Sequence, residues 1–436
     1  MRLKDYGRKP ALRKEFVQNP DLLTIGIDVS KDSHSACFGT KSMVLSKKFE
    51  FHNSREGFQK FEHNIRNLSK RNACKQVLIG MEPSGLYWYG LYERLKKCGF
   101  GVCLVNCMAV KNNRKTMPDG SSKTDPKDAY SVYDLMIQGK FFLPVERDPE
   151  LAAAYRLMRK HMIIKKRISR VRNHIRGALH LAFPELNNEI NNLTLPTSLR
   201  FLQSNPTPES VMRNGRKRFM KKWKPRKQSG QWRPEKFNRI YDIARQSIGI
   251  RDPQRIDEFE IKTMANDLAD ALAKSQLWLD KAIELVCDRD DFELLLSLPR
   301  IGKPTATAIL TAVGNIDEFS YGKQLVKLAG LDIRLYQSGS SIKKRPRITH
   351  IGSGYLRHWV YHYALRLISF EPHFQNLFQR RKNSSPGKGS GQRALVAISD
   401  KVLRIIYRML KDQEKYTPAK DKIVAAYYQR PQKLAA

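Results

Sequence analysis

The sequence predicts a chain of class α/β plus α: a mixed sheet with helices towards the N-terminus, a long helical arm, and a mainly helical C-terminal region. Three observations carry this. Short apolar, β-branched runs (Leu22 to Val29, Gln76 to Met81) alternate with a stretch of helical spacing at Ser54 to Ser69. Two long stretches, about Pro149 to Leu181 and Ile256 to Val286, keep a helical period without interruption. From Asp291 onwards, apolar helical segments are separated by short turns. A strand run followed by strand–helix alternation makes a mixed α/β sheet, and long periodic helices make an arm.

Charge sets the class of partner. The 436 residues include 80 Lys and Arg against 42 Asp and Glu, a formal charge of +38. Self-repulsion on that scale opposes folding unless a polyanion or counterions neutralise it, which excludes an ordinary small-molecule enzyme and points to DNA or RNA, with an anionic membrane surface as the weaker alternative. Apolar residues make up 41% of the chain, enough for real cores and against a disordered polycation. No run approaches the roughly 20 apolar residues that span a bilayer, and the basic start MRLKDYGRKPALRKEF has no apolar signal core. A cytoplasmic protein without a membrane partner is expected. The six cysteines form no CxxC pair and read as reduced core residues.

In chain order, a basic lead-in (1–21) precedes LLTIGIDV, HSACFGT and SKKFEFH, read as a three-stranded meander. A helix carrying Phe58, Phe61, Ile65 and Leu68 follows, then the strand QVLIGM, a helix from about Leu86 to Lys97 and the strand GVCLVN. KNNRKTMPDGSSKTDPKD reads as a polar loop before the helix through AYSVYDLMIQG, completing an α/β domain over 22–148. The arm occupies 149–290, its first helix carrying Arg156, Arg159, Lys160, Lys165, Lys166, Arg167, Arg170, Arg172 and Arg176 around an apolar stripe. Its two long helices suit an antiparallel coiled coil or a dimerisation arm.

Between them, in an insertion of about 187–250, Arg213 to Arg239 holds twelve Lys/Arg and one acid, with Phe219, Trp223, Trp232 and Phe237 interleaved. Cations beside rings suit phosphates beside bases. Arg216, Lys217, Arg218, Lys221, Lys222, Trp223, Lys224, Arg226, Lys227 and Trp232 are therefore candidate nucleic-acid contacts, the alternative being a solvated basic linker. In the region 291–411, LLLSLPRIGKPTATAILTAVG has the pattern of a helix–hairpin–helix, whose turn offers backbone N–H groups to phosphate. A basic tail (412–436) closes the chain.

Four carboxylates stand out. Asp28 ends one apolar strand, Glu82 ends another, and Asp125 and Asp128 lie three apart on one helical face. Acids at the ends of buried strands are costly without a counter-charge, so a cluster of them points to hard cations on oxygen ligands. Two Mg²⁺ ions, with Mn²⁺ as a substitute, would polarise a phosphodiester from both sides. Surface carboxylates or helix caps are the plain alternative, and Asp125 before Pro126 could be an N-cap. A second feature is the small polar stretch YQSGSS, where Ser338, Ser340 and Ser341 are equal candidates for a nucleophile, followed by Lys343, Lys344, Arg345 and Arg347 to steady a phosphate. One of His350, His358 and His362 could move a proton near neutral pH, although His358 and His362, spaced i, i+4 on an aromatic helix, are expected in the core.

Together IGIDVSKDSH, GMEPSGLYWYGL and KTDPKDAYSVYDL resemble the RuvC-like, RNase H-type domain of the IS110 family of transposases, with its Asp-Glu-Asp-Asp signature. Downstream, the segment from LLSLPRIGKP through YQSGSSIKKRPRITHIGSGYLRHWVYHYAL is similar to that family's second conserved region, so the likeness covers most of 22–140 and 291–411 in the family's order. The resemblance implies that Asp28, Glu82, Asp125 and Asp128 are the catalytic, metal-holding acids and that Ser338 is the nucleophile. It implies an RNA-guided recombinase acting on target and donor DNA, the guide being a structured non-coding bridge RNA, through a covalent phosphoserine. The insertion is longer than the family pattern and is the candidate for an additional RNA contact. Because the acids and Ser338 lie on domains joined by long helices, a homodimer or homotetramer with composite sites is expected. Two rivals stand beside this: a Holliday-junction-type metal nuclease that activates water, and a non-catalytic nucleic-acid-binding protein.

Overall fold

A computed structural model describes residues 10–85, 87–117, 124–143, 148–223, 232–338, 342–384 and 386–418, with 10, 11, 334–338 and 342–346 described by backbone alone. The chain divides into two compact units, Met1–Val145 and Glu146–Ala436. No helix among the described residues is long and apolar enough to cross a membrane.

In the first unit, helix α1 (Pro10–Phe16) leads into β1 (Leu22–Val29), β2 (Ser33–Gly39) and β3 (Val44–His52), the expected antiparallel meander. Helix α2 (Arg55–Arg71), capped by the Ser54 hydroxyl, carries the chain to β4 (Gln76–Met81), and α3 (Tyr87–Lys97) carries it to β5 (Gly101–Leu104). Both new strands run parallel to β1, which requires crossover connections of this kind, and the sheet order is β3-β2-β1-β4-β5. One face is sealed by α2 and α3, where Ile25, Ile27, Phe38, Ile79 and Met81 meet Phe58, Phe61, Ile65, Leu91 and Leu95. Phe51 stacks on Phe61 at 4.3 Å between ring centroids. The outer strand β3 presents exposed Lys47 and Lys48, charges that protect an edge from pairing with another chain.

The other face is covered by α4 (Cys107–Lys115) and α5 (Asp125–Ile137), through Val110, Val132, Leu135 and Met136 on Leu78, Cys103 and Val105. Helix α4 corrects the reading of KNNRK as loop. The Asn106 side chain accepts from the backbone N–H groups of Met108 and Ala109 (2.9 and 3.2 Å) and starts a helix that the polar composition hid. Helix α5 lies directly on the strands: a Cβ on Gly26 of β1 would run into the backbone of Ala129 and Tyr133, and one on Gly80 of β4 would meet Met136. All six cysteines are free, but only Cys37, Cys74 and Cys103 are core residues; Cys98 and Cys107 are exposed and Cys287 is half-buried.

Among its described residues the second unit is helical apart from one hairpin. The long α6 (Pro149–Ala182) and α12 (Ile256–Glu284) pack antiparallel, with His161 level with Ser275 and Arg167 level with Asp267. Between them in sequence, α7 (Pro184–Glu189), α8 (Pro196–Ser204), α9 (Pro208–Met212), α10 (Gly215–Lys222) and α11 (Pro234–Arg245) close a separate core against the distal half of the pair. Beyond it come α13 (Asp290–Leu296), α14 (Lys303–Val313), α15 (Lys323–Leu328), the hairpin β6 (Ile333–Ser338) and β7 (Ile342–Ile348), α16 (Gly354–Phe370), α17 (Pro372–Asn383) and α18 (Ser390–Asp412). The helices of this part share a core with Leu151, Ala154 and Met158 from the first turns of α6.

His161 is 7% exposed, and its Nδ1 lies 2.9 Å from the Ser275 carbonyl oxygen. A carbonyl only accepts, so Nδ1 carries a proton. Burial depresses the His161 pKa, against the Ser275 bond that raises it. His34, 1% exposed in β2, is depressed by burial in the same way.

Two predictions follow from this packing. Replacing Gly26 by Val forces α5 off the sheet and should cost about 1–3 kcal/mol or more, read as a lowered Tm. Histidines held neutral below their unfolded value contribute stability at neutral pH that is lost as pH falls below about 6.5. Thermal melts should therefore show a lower Tm at pH 5.5 than at pH 7.5, by a smaller margin in His161→Gln.

Candidate active site

Strand alternation decides which side chains reach α5. Gly26 faces that helix, so Asp28, two residues on, is on the same face of β1; Gly80 faces it too, so Glu82 emerges on the same face at the end of β4. The parallel register Ile27↔Met81 brings Asp28 and Glu82 to the same edge on neighbouring strands. Helix α5 runs back across the sheet. Its Tyr133 hydroxyl donates to the Thr40 carbonyl (2.6 Å), beyond the end of β2 that pairs with the start of β1, so its N-terminus with Asp125 and Asp128 lies towards the edge where β1 and β4 end. Three elements thus place four acids at one edge of one face.

Their surroundings differ. Asp28 and Glu82 are half-buried and Asp125 is exposed in the first turn of α5. Thr124, not Asp125, is the N-cap, which corrects the capping reading of Asp125 and leaves its carboxylate for another task. Asp128 is 5% exposed, and its carboxylate accepts from Arg114 Nη1 of α4 at 2.6 Å. Arg114, hidden in the segment read as loop, is the residue that sequence reasoning missed; its spacing from Asp128 carries no signal until α4 and α5 are known to be neighbours. Asn113 donates to Asp134 (2.9 Å) and to the Ser131 hydroxyl (3.3 Å), which fixes α4 against α5. Exposed Cys107 sits beside Glu82, and partial burial with the Glu82 carboxylate pushes its thiol pKa up.

Among the described residues no three His, Cys, Asp or Glu side chains are assembled into a group that could hold a metal ion. In donor chemistry the four acids suit a hard divalent cation, and Asp128 is balanced by the Arg114 guanidinium.

Ser338 is the last residue of β6, opposite Ile342 of β7. Its side chain and those of Lys343, Lys344 and Arg345 lie outside the described residues, as do Ser340 and Ser341; Arg347, on β7, is exposed. His358 and His362 correct their expectation: both are exposed on α16, ring centroids 4.4 Å apart, because the buried stripe of that helix is Tyr355, Leu356, Val360, Tyr363, Ala364 and Leu367. His350 is also exposed. The candidate helix–hairpin–helix comprises α13 and α14 joined by 297–302, with Arg300 at φ 58° and its guanidinium on Glu371 at 3.0 Å.

The basic insertion also needs correction. Phe219, Trp223, Trp232 and Phe237 are 2–8% exposed and pack around Phe201, with Trp223 stacked on Phe237 at 5.3 Å. Trp223 and Trp232 are core rings with no face left for a base. Lys222 and the Trp223 indole both donate to Asn205 Oδ1 (3.1 and 3.3 Å), and Arg216 is engaged by Asp242 at 2.7 Å. Lys217, Arg218 and Lys221 are exposed; Lys224, Arg226 and Lys227 lie outside the described residues. The buried Glu258 is held by Arg213 and by Lys262 (2.7 Å); burial pushes its pKa up, but these bonds prevail and hold it below the usual range.

The DEDD transposase family model of the IS110 type, described as "Transposase", matches residues 25–184, and the model described as "Transposase IS116/IS110/IS902 family" matches 292–379. The chain belongs to the IS110 family of transposases. It is 24% identical over 315 residues to an uncharacterized 44.8 kDa protein of insertion element IS116 from Streptomyces clavuligerus, covering 69% of this chain and 74% of the relative. The uncharacterized 43.6 kDa protein of element IS110 from Streptomyces coelicolor is 23% identical over 328 residues, covering 73% and 77%. A pilin gene-inverting protein of Moraxella bovis is 29% identical over 201 residues, 42% of this chain and 61% of that protein. This transposase is thus an enzyme of DNA recombination that binds DNA, and its DEDD domain suggests dependence on a divalent metal.

For the acid edge, Arg114→Gln is expected to leave Asp128 without its counter-charge and lower stability by about 1–3 kcal/mol, measured by chemical denaturation of the metal-free transposase.

Proposed function

We infer that this transposase moves its insertion sequence by RNA-guided cutting and rejoining of DNA through a serine–phosphate bond. The observation that supports this most is the delivery of Asp28, Glu82, Asp125 and Asp128 to one face and one edge of the sheet. In the proposed reaction Ser338 Oγ attacks the scissile phosphorus. The Oγ–P bond forms as the bond from phosphorus to the leaving deoxyribose oxygen breaks; the serine proton passes to a carboxylate of the acid set, and the leaving oxygen takes up a proton. Attack by a hydroxyl of a new strand reverses these changes and reseals the backbone, so the phosphodiester bond is conserved and no ATP is needed.

Asp28, Glu82, Asp125 and Asp128 would hold Mg²⁺, which supplies charge stabilisation at the phosphate. Lys343, Lys344, Arg345 and Arg347, beside Ser338 in sequence, would bind the non-bridging oxygens. A structured guide RNA would contact exposed Lys217, Arg218 and Lys221 of α10. Acid edge and serine would meet in a dimer or tetramer, the helix pair α6–α12 serving as a coiled-coil arm.

The test is to express the transposase with the DNA flanking its gene, add Mg²⁺ and labelled junction DNA, and look for a denaturation-resistant protein–DNA adduct. The adduct should form in wild type, vanish in Ser338→Ala and Asp28→Ala, and fail to form in EDTA. Cleavage without any adduct would instead support water activation by a metal nuclease. Recombination by Ser338→Ala would sink the serine mechanism.

A further inference from the structure

The two long helices of the arm divide charge between them. Helix α6 carries nine Lys/Arg and one acid, Glu150 in its first turn. Helix α12, packed along it, carries seven acids and three lysines. Eight of the nine α6 cations are exposed; the ninth, Arg176, is spent inside the fold, donating to the carbonyls of Asn187, Ile190 and Asn191. Two of the eight lean on α12: Lys160 lies over the Trp278 ring at 5.5 Å and Arg167 is 3.7 Å from Asp267. Arg156, Arg159, Lys166 and Arg170 have no ion pair among the described residues and return to one side of α6 with the helical period, opposite the buried stripe Met158, His161, Ile164 and Ile168. From Arg159 to Arg170 this side spans about 16 Å of axis, about half a turn of B-DNA. Exposed His358 and His362 of α16 flank it, with the Lys166 charge near enough to act on His358.

We propose that this outward face of α6 is a phosphate rail that holds the backbone of duplex DNA without reading its sequence. The inference deepens the reading of the chain as a DNA-binding transposase and rests on it. Charge complementarity selects a polyanion: Arg156, Arg159, Lys166 and Arg170 stand on a helix whose one acid is in its first turn, and they meet no ion-pair partner among the described residues. Geometry selects a duplex. Single strands are held above all by exposed large aromatic rings on which bases stack, and between Arg156 and Arg170 this face carries no Phe, Tyr or Trp; its exposed apolar residue there is Ile163. A row of point charges spaced along a straight helix instead matches the regular phosphates of a double helix.

The experiment uses the full chain and the triple variant Arg159→Gln, Lys166→Gln, Arg170→Gln. Glutamine has almost the helix propensity of the residues it replaces, and circular dichroism with a thermal melt checks that the arm is intact. Binding is measured over a salt series to a 20-bp DNA duplex of the transposition site, an unrelated duplex of the same length, and an RNA duplex. The variant should lose about tenfold or more in DNA affinity near physiological salt, equally for both DNA sequences, and the slope of log K against log salt should flatten by about 2–3, the release expected for three phosphates. Unchanged affinity and slope for DNA, in a variant that melts like wild type, would overturn the rail while leaving the transposase reading in place. Loss confined to the RNA duplex would overturn the assignment to DNA. A wild-type protein that binds neither DNA would overturn both.

Discussion

The close approach of α5 to β1 and β4 is the constraint on which the acid edge depends. A helix ordinarily rests on the side chains of a sheet; here Gly26 lets the helix backbone come down to the strand, and Gly80 makes room for Met136. That contact fixes the height and direction of α5 and hence the position of its first turn over the edge where β1 and β4 end. The parallel pairing of those strands does the rest, since equal register carries Asp28 and Glu82 to the same level. Arg114 is a consequence of the same packing: once Asp128 is pressed between α4 and α5, a buried carboxylate needs a counter-charge, and the last turn of α4 supplies it.

The excess of positive charge is organised in the second unit by separating it from the aromatics. In the insertion, Trp223, Trp232, Phe219 and Phe237 turn inward around Phe201, and the cations between them in sequence are left on the surface or tied to Asn205 and Asp242. In the arm, acids gather on α12 and bases on α6, so two helices that attract each other along their flanks keep one strongly basic side facing solvent. The net charge is therefore not spread evenly as self-repulsion, but laid out as surfaces where a polyanion can relieve it.

Much of this architecture was legible. The meander, the parallel strands, both long helices and the acids at strand ends follow from alternation and period, signals that survive without knowledge of neighbours. What was misread shares one cause. KNNRK looks like loop because a short helix with one buried residue, Val110, has almost no apolar period; its cap, Asn106, was the available clue. The aromatics among cations look like a nucleic-acid surface because sequence spacing does not say whether a ring points in or out. His358 and His362 look like core because the helix is aromatic all round, although the stripe that is buried belongs to Tyr355, Val360 and Tyr363.

By itself the sequence determined the residue chemistry: which elements form, where acids end strands, that a polyanion is the partner, and, through the spacing of its motifs, the IS110 family. The tertiary structure decided direction and company: that four acids share one face and edge, that Arg114 balances Asp128, that the insertion's rings are core, and that the basic side of α6 is left open. Local pattern is written in near neighbours along the chain, whereas these facts depend on which helix lands on which strand, and that is settled by close packing between segments far apart in sequence.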